Sequence, residues 1–171
     1  LEPFTSMNPF HCVPFLELDD GTVISESISI CRYLEEIYPN PALFGTTAET
    51  RAIIDMWLRR FELDGFLPML HAVRNHLENF KGRVIPGTRT DLPQVPQMVT
   101  RGIEMGKMFL ERVEPHMAEN EFVAGSRFSV ADITAFFTIK LTTPLKIDIN
   151  ASYPGVAAWM DRMSKREAFN I

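Results

Sequence analysis

Two short clusters in this chain place chemistry-bearing residues at a spacing that can hold a ligand. Asn8-Pro9-Phe10-His11-Cys12-Val13-Pro14 precedes an apolar run, Phe15-Leu16-Glu17-Leu18. Ser25-Glu26-Ser27 follows Thr22-Val23-Ile24 and opens a helix. The Val13-Pro14 pair fixes the backbone ahead of the strand, because proline removes a donor and makes a cis bond cheap. Glu26 and Ser27 fall where free backbone N–H groups and the helix dipole favour a carboxylate. Taken singly, Pro14 is a turn proline, Glu26 a dipole partner in a first turn, and Ser27 a cap. Taken jointly, they read as a ligand-holding hairpin.

Other candidates are less specific. Cys12 and Cys31 are too few for a disulfide framework and form no Cys-x-x-Cys pattern. Cys12 as a reactive thiol would need a lowered pKa, and Cys31 falls on an apolar helix face, a core position. His71 and His76 lie five apart and do not share a helix face, so no metal is expected. Arg59-Arg60 with Glu62 and Asp64 reads as a solvated helix face with i,i+4 pairing.

The elements that must position these residues follow from pattern. Phe15–Leu18 and Thr22–Ile24 read as short strands joined by Asp19-Asp20-Gly21 into an antiparallel hairpin, covered by a helix over Ser25–Tyr38. Ile28, Cys31, Leu34 and Ile37 recur along that helix at helical spacing, and Pro39 stops it. A linker over residues 39–45 marks a domain boundary, giving units at 1–40 and 47–171. A long helix is expected over 48–79, with Ile53, Ile54, Trp57, Leu58, Phe61, Leu67, Leu70 and Val73 buried or half-buried, and with a kink near Leu67-Pro68. After a loop over 81–90, a second long helix runs from Leu92 or Pro93 to Ala118, with Pro96 in its first turn and Pro115 near a late bend. Ser129 and Asp132 form a capping box ahead of a nearly all-apolar helix over 130–142, the expected centre of a helical bundle. Pro154–Met163 supplies a last amphipathic helix, with Val156, Trp159, Met160 and Met163 inward.

Composition bounds the class. With 171 residues, 46% of them hydrophobic and 23% charged, the chain can bury a substantial core as a soluble globular protein. A net charge of −5 offers no broad basic footprint, so neither nucleic acid nor an anionic membrane is an expected partner. No apolar run reaches membrane-spanning length and no signal-peptide pattern is present, which together with the sparse cysteines points to the cytoplasm. The chain starts at Leu, and one hairpin with one helix is too small a sheet layer to stand alone, so either further strands precede Leu1 or the hairpin leans entirely on the helices.

These residues resemble the cytosolic glutathione transferases, of bacterial type. Asn8-Pro9 through Val13-Pro14 is similar to that family's loop before its cis-proline, and Glu26-Ser27-Ile28 to its Glu-Ser-x-Ile signature. Phe122-Val123-Ala124-Gly125 and Phe128-Ser129-Val130-Ala131-Asp132-Ile133 are similar to its core capping motif. The resemblance implies an α+β, mostly α architecture: the hairpin-and-helix half of a thioredoxin-like domain followed by an all-helical domain. It implies glutathione held by Cys12, Val13, Pro14, Glu26 and Ser27, a small hydrophobic electrophile as second substrate, a homodimer, and no metal. His11 replaces the family's usual glycine, and Cys12 stands where Gln or Lys often helps bind the peptide. The residue that activates the glutathione thiol is expected upstream of Leu1. Met69, Met98, Met105 and Met108, with Phe66 and Phe109, can line the electrophile's pocket, although core packing is the commoner fate of such residues. A silent binding or scaffold protein, and glutathione-dependent peroxidase, reductase or isomerase chemistry, are the alternatives on the same fold.

Overall fold

A computed structural model describes residues 4–87 and 91–169. A short helix, α1 (Phe4–Met7), leads into the Asn8–Pro14 loop and strand β1 (Phe15–Glu17), which pairs antiparallel with β2 (Val23–Ser25). The register is Phe15 opposite Ser25, Leu16 opposite Ile24 and Glu17 opposite Val23. Gly21 closes the turn at φ 84°, where a Cβ is disfavoured. Helix α2 (Ser27–Ile37) follows, starting two residues later than the sequence pattern indicates because Ser25 belongs to β2.

Ile28 and Cys31 are half-buried against the core, whereas Leu34 and Ile37 are 40% and 50% exposed, contrary to expectation. Two three-residue strands span about 10 Å, and an eleven-residue helix about 16 Å, so the hairpin cannot cover the last turns. Burial raises the Cys31 thiol pKa, with Glu35 adding to it.

The linker is tied down by one carboxylate. Glu35 accepts from the Leu43 N–H at 2.6 Å and the Phe44 N–H at 3.0 Å, and the Leu43 carbonyl accepts from the Val130 N–H at 3.1 Å. Arg32 reaches Asp55 at 2.6 Å and stacks over Phe44, joining α2 to the next helix. The Asn40–Pro41 bond is cis.

Helix α3 (Ala48–Arg60) runs without a break through a π-helical turn (Phe61–Phe66) into α4 (Leu67–His76). The disturbance expected near Leu67-Pro68 takes the form of that wider turn, in which the Leu67 N–H bonds to the Glu62 carbonyl. The wider coil admits Pro68 at the start of α4, where a missing donor costs little. Gly65 is buried there, and a Cβ on it would lie 2.7 Å from Phe109 and 2.9 Å from the Thr138 methyl. Ile53 and Leu67, expected buried or half-buried, lie on the outer side and are exposed.

Helix α5 (Pro96–Glu119) packs along α4 through small residues: a Cβ on Gly102 would meet Ala72, and one on Gly106 would meet Met69. Pro115 sits inside it. Met69 and Phe109 enter the core, but Met98, Met105 and Met108 form an exposed stripe beside the α5 face that carries Gly102, Gly106, Phe109 and Val113. Helix α6 (Val130–Lys140) is the buried centre. At its start Asp132 accepts from the Ser129 N–H at 2.8 Å, the Ser129 hydroxyl at 3.0 Å and the Val123 N–H at 2.8 Å. After α7 (Ile149–Ser152), helix α8 (Pro154–Ser164) buries Val156, Trp159 and Met163, with Met160 half-buried. The Glu114 carboxylate caps its first turn through the Gly155 and Val156 N–H groups at 2.6 and 2.8 Å. No helix among the described residues is long and apolar enough to cross a membrane.

Candidate functional site

The Asn8–Pro14 loop is built around one buried side chain. Asn8 donates to the Cys12 carbonyl at 2.7 Å, its own Oδ1 accepts from the Phe10 N–H at 3.1 Å, and its carbonyl accepts from the His11 N–H at 2.9 Å. That network closes a turn in which His11 takes φ 54°, a left-handed conformation in which His is among the enriched non-glycine residues. Cys12 is half-buried, Val13 is 81% exposed, and the Val13–Pro14 bond is cis. Among the described residues no hydrogen bond engages the Val13 backbone, so its N–H and C=O form a free edge of the kind an extended peptide can join.

Strand register carries the second cluster to the same place. Phe15 is paired with Ser25 at the end of the ladder, so Pro14 and Glu26, the next residue on each chain, leave it at the same end of the hairpin. Glu26 is the residue before the helix, at φ 70° and ψ 121° with no side-chain cap bond; Ser27 is the first helical residue, and both are exposed. The hairpin therefore presents at one end a free peptide edge, a carboxylate, a hydroxyl and the unpaired N–H groups of a helix start. Such a set can accept from an ammonium group, donate to a carboxylate and pair with an amide.

A cavity of about 800 Å³ opens beside Cys12 and Val13 and runs to the end of α4. Arg74 projects there. Its Nη1 donates to the Arg83 carbonyl at 2.6 Å, its guanidinium lies over Phe80, 4.8 Å from the ring centre, and its Nε is buried without a partner among the described residues. Burial lowers the Arg74 pKa, an effect the neighbouring Cys12 partly opposes. Gln94 fastens this end of α4 by donating to the carbonyls of Arg74 at 2.9 Å and Leu77 at 2.7 Å, while Asn75 accepts from the Val95 N–H at 2.8 Å. Gly87 closes the loop against Phe10 and Cys12, where a Cβ would collide with the Phe10 carbonyl and approach the Cys12 Sγ to 2.6 Å.

The structure thus brings Cys12, Val13, Pro14, Glu26 and Ser27 to one end of the hairpin. The sequence pattern does not single out Asn8, Arg74 or Gln94. Asn8 carries a visible signal, since Asn before Pro marks turn initiation; Arg74 and Gln94 meet only through tertiary structure. The remaining Arg-rich segment forms a solvated face, with Arg59 paired to Glu62 at 2.5 Å and Arg60 over the Trp57 ring. Of the loop expected over 81–90, residues 88–90 lie outside the described residues.

Comparison with known proteins agrees with this architecture. The model of the glutathione S-transferase N-terminal domain matches residues 2–37, and that of the glutathione S-transferase C-terminal domain matches residues 102–167. A class Gtt2 glutathione S-transferase of Vibrio parahaemolyticus is 33% identical and superposes with a TM-score of 0.82 over 99% of this chain and 76% of its own. A glutathione S-transferase domain-containing protein of Marinobacter aquaeolei is 32% identical, with a TM-score of 0.83 over 99% of this chain and 80% of its own. Glutathione S-transferase 2 of Saccharomyces cerevisiae is 28% identical over 95% of this chain and 67% of its own. A thioredoxin-like hairpin and helix joined to an all-helical domain is the fold of these enzymes, and the chain belongs to the glutathione S-transferase family, a family of transferases.

Proposed function

We propose that this protein conjugates the thiolate of glutathione to small hydrophobic electrophiles. The observation that carries the reading is the joint presentation, at one end of the hairpin, of the free Val13 edge and the strained Glu26-Ser27 helix start. Glutathione's cysteinyl amide pairs with the Val13 backbone, Pro14 fixes that edge, and Cys12 flanks it. Its γ-glutamyl carboxylate takes the Ser27 hydroxyl and backbone N–H, and its ammonium group takes the Glu26 carboxylate. The thiolate attacks the electrophilic carbon, a carbon–sulfur bond forms, and the leaving group departs with its electron pair while the thiol proton passes to solvent. Catalysis comes from holding the two reactants together and keeping the thiol ionised.

The same reading places the protein in the cytoplasm, in detoxification, with a domain division between residues 1–40 and 47–171. It also makes the protein a homodimer. Support for the dimer comes from the exposed stripe Met98, Met105 and Met108 on α5 and from exposed Met56, Leu63 and Leu67 on the α3–α4 rod. Light scattering at the mass of one chain would remove the dimer. Turnover of chlorodinitrobenzene with glutathione tests the function: Ser27→Ala is expected to raise the KM for glutathione roughly tenfold, the size of one lost charge-assisted hydrogen bond. A protein that binds both substrates without turnover would be a binding module instead.

A further inference from the structure

We propose that the electrophile accepted beside Val13 carries a carboxylate, which Arg74 and Arg83 hold at the far end of the cavity. The inference rests on the conjugation reading for the location of the electrophile, and on the cavity itself for its charge. Phe15, Phe80 and Ile85 give the cavity an apolar wall, while its ionisable lining, besides the Cys12 thiol, is Arg74, Arg83 and His11. Among the described residues no Asp or Glu lines it, and neither arginine belongs to an ion pair. The chain as a whole is acidic, at −5, so two uncompensated guanidinium groups in one cavity are not a by-product of a basic surface.

Arg74 also carries an unmet demand. One guanidinium nitrogen is used by the Arg83 carbonyl and one face by Phe80, but the buried Nε has no acceptor among the described residues. An orphaned buried donor is unfavourable, and more so on a charged group. A carboxylate in the cavity does not reach that buried nitrogen, but it sets a negative charge beside two guanidinium groups that no Asp or Glu of the lining offsets. A neutral electrophile fills the apolar wall and leaves both charges uncompensated. The cavity therefore selects a molecule with an unsaturated or aromatic body and one acidic end, the usual division between apolar lining and a few orienting polar groups.

The test compares binding of chlorodinitrobenzoate with that of its uncharged carboxamide, each titrated into the protein saturated with S-methylglutathione, which fills the glutathione site without reacting. The carboxylate is expected to bind roughly tenfold more tightly. Arg83→Gln, at an exposed position, and Arg74→Gln should each remove most of that preference and leave carboxamide and S-methylglutathione affinities in place; Arg74→Lys should keep part of it. Equal binding of carboxylate and carboxamide, with S-methylglutathione bound normally, overturns the inference and spares the conjugation reading. Loss of S-methylglutathione affinity in Arg74→Gln assigns the arginines to glutathione's own carboxylate and also overturns it. A carboxylate preference in a protein that takes no S-methylglutathione upholds the anion site while removing the conjugation reading.

Discussion

Glu26 holds φ 70° and ψ 121°, a region glycine tolerates and a residue with a Cβ enters at a cost of about 1–3 kcal/mol. Its side chain caps nothing, so the strain has no local structural return. Glu26→Gly is therefore expected to stabilise the fold by about 1 kcal/mol in urea unfolding and to weaken glutathione binding; a variant that is both less stable and equally avid would separate the strain from the site. Asp132 makes a different prediction. Burial raises its pKa above 3.8 despite hydrogen bonds from Val123 and Ser129 that oppose the shift. Between 3.8 and that raised value the native state keeps a proton the unfolded chain has lost, so stability falls as pH rises through the window. Unfolding of the parent and of Asp132→Asn across acidic pH should show this slope in the parent and a flatter profile in the variant. Pro14, Ser27 and Asp132 were legible because their residue types act on neighbours in sequence. Gln94 and Glu114 were not: Gln94 reaches back 20 residues to Arg74, and Glu114 reaches 41 forward to Gly155.

The helices follow the apolar periodicity closely in existence and type, since a 3.6-residue repeat survives in any well-packed bundle. The π-helical turn at Phe61–Phe66 is the exception, because adding a residue to one turn shifts the repeat without interrupting it. Pro68 signalled a disturbance, but only the close approach of Phe109 and Thr138 to Gly65 explains its form. Gly65→Ala is expected to cost about 1–3 kcal/mol by overpacking that contact. Thermal melts would show it, and an unchanged melting temperature would mean that the turn yields freely. The Leu34–Ile37 end of α2 misled for a simpler reason: helical spacing reports which residues share a face, not whether the neighbouring sheet is long enough to cover them.

At the scale of the molecule, the helical domain supplies the end of α4 and the loop that closes on Cys12, while the hairpin supplies the peptide edge and the helix start. Glu35 and Arg32 bind the two together through the linker and α3, so the cavity keeps its shape only while both parts are in register. The hairpin end is the proposed glutathione site. Calorimetric titration of glutathione into the parent and into a Glu26→Ala, Ser27→Ala double variant tests it most directly. Binding by the parent and its loss in a variant that remains folded is the predicted result. A double variant that binds glutathione as the parent does would contradict the assignment of Glu26 and Ser27, and a parent that binds none would leave the fold in place without the function.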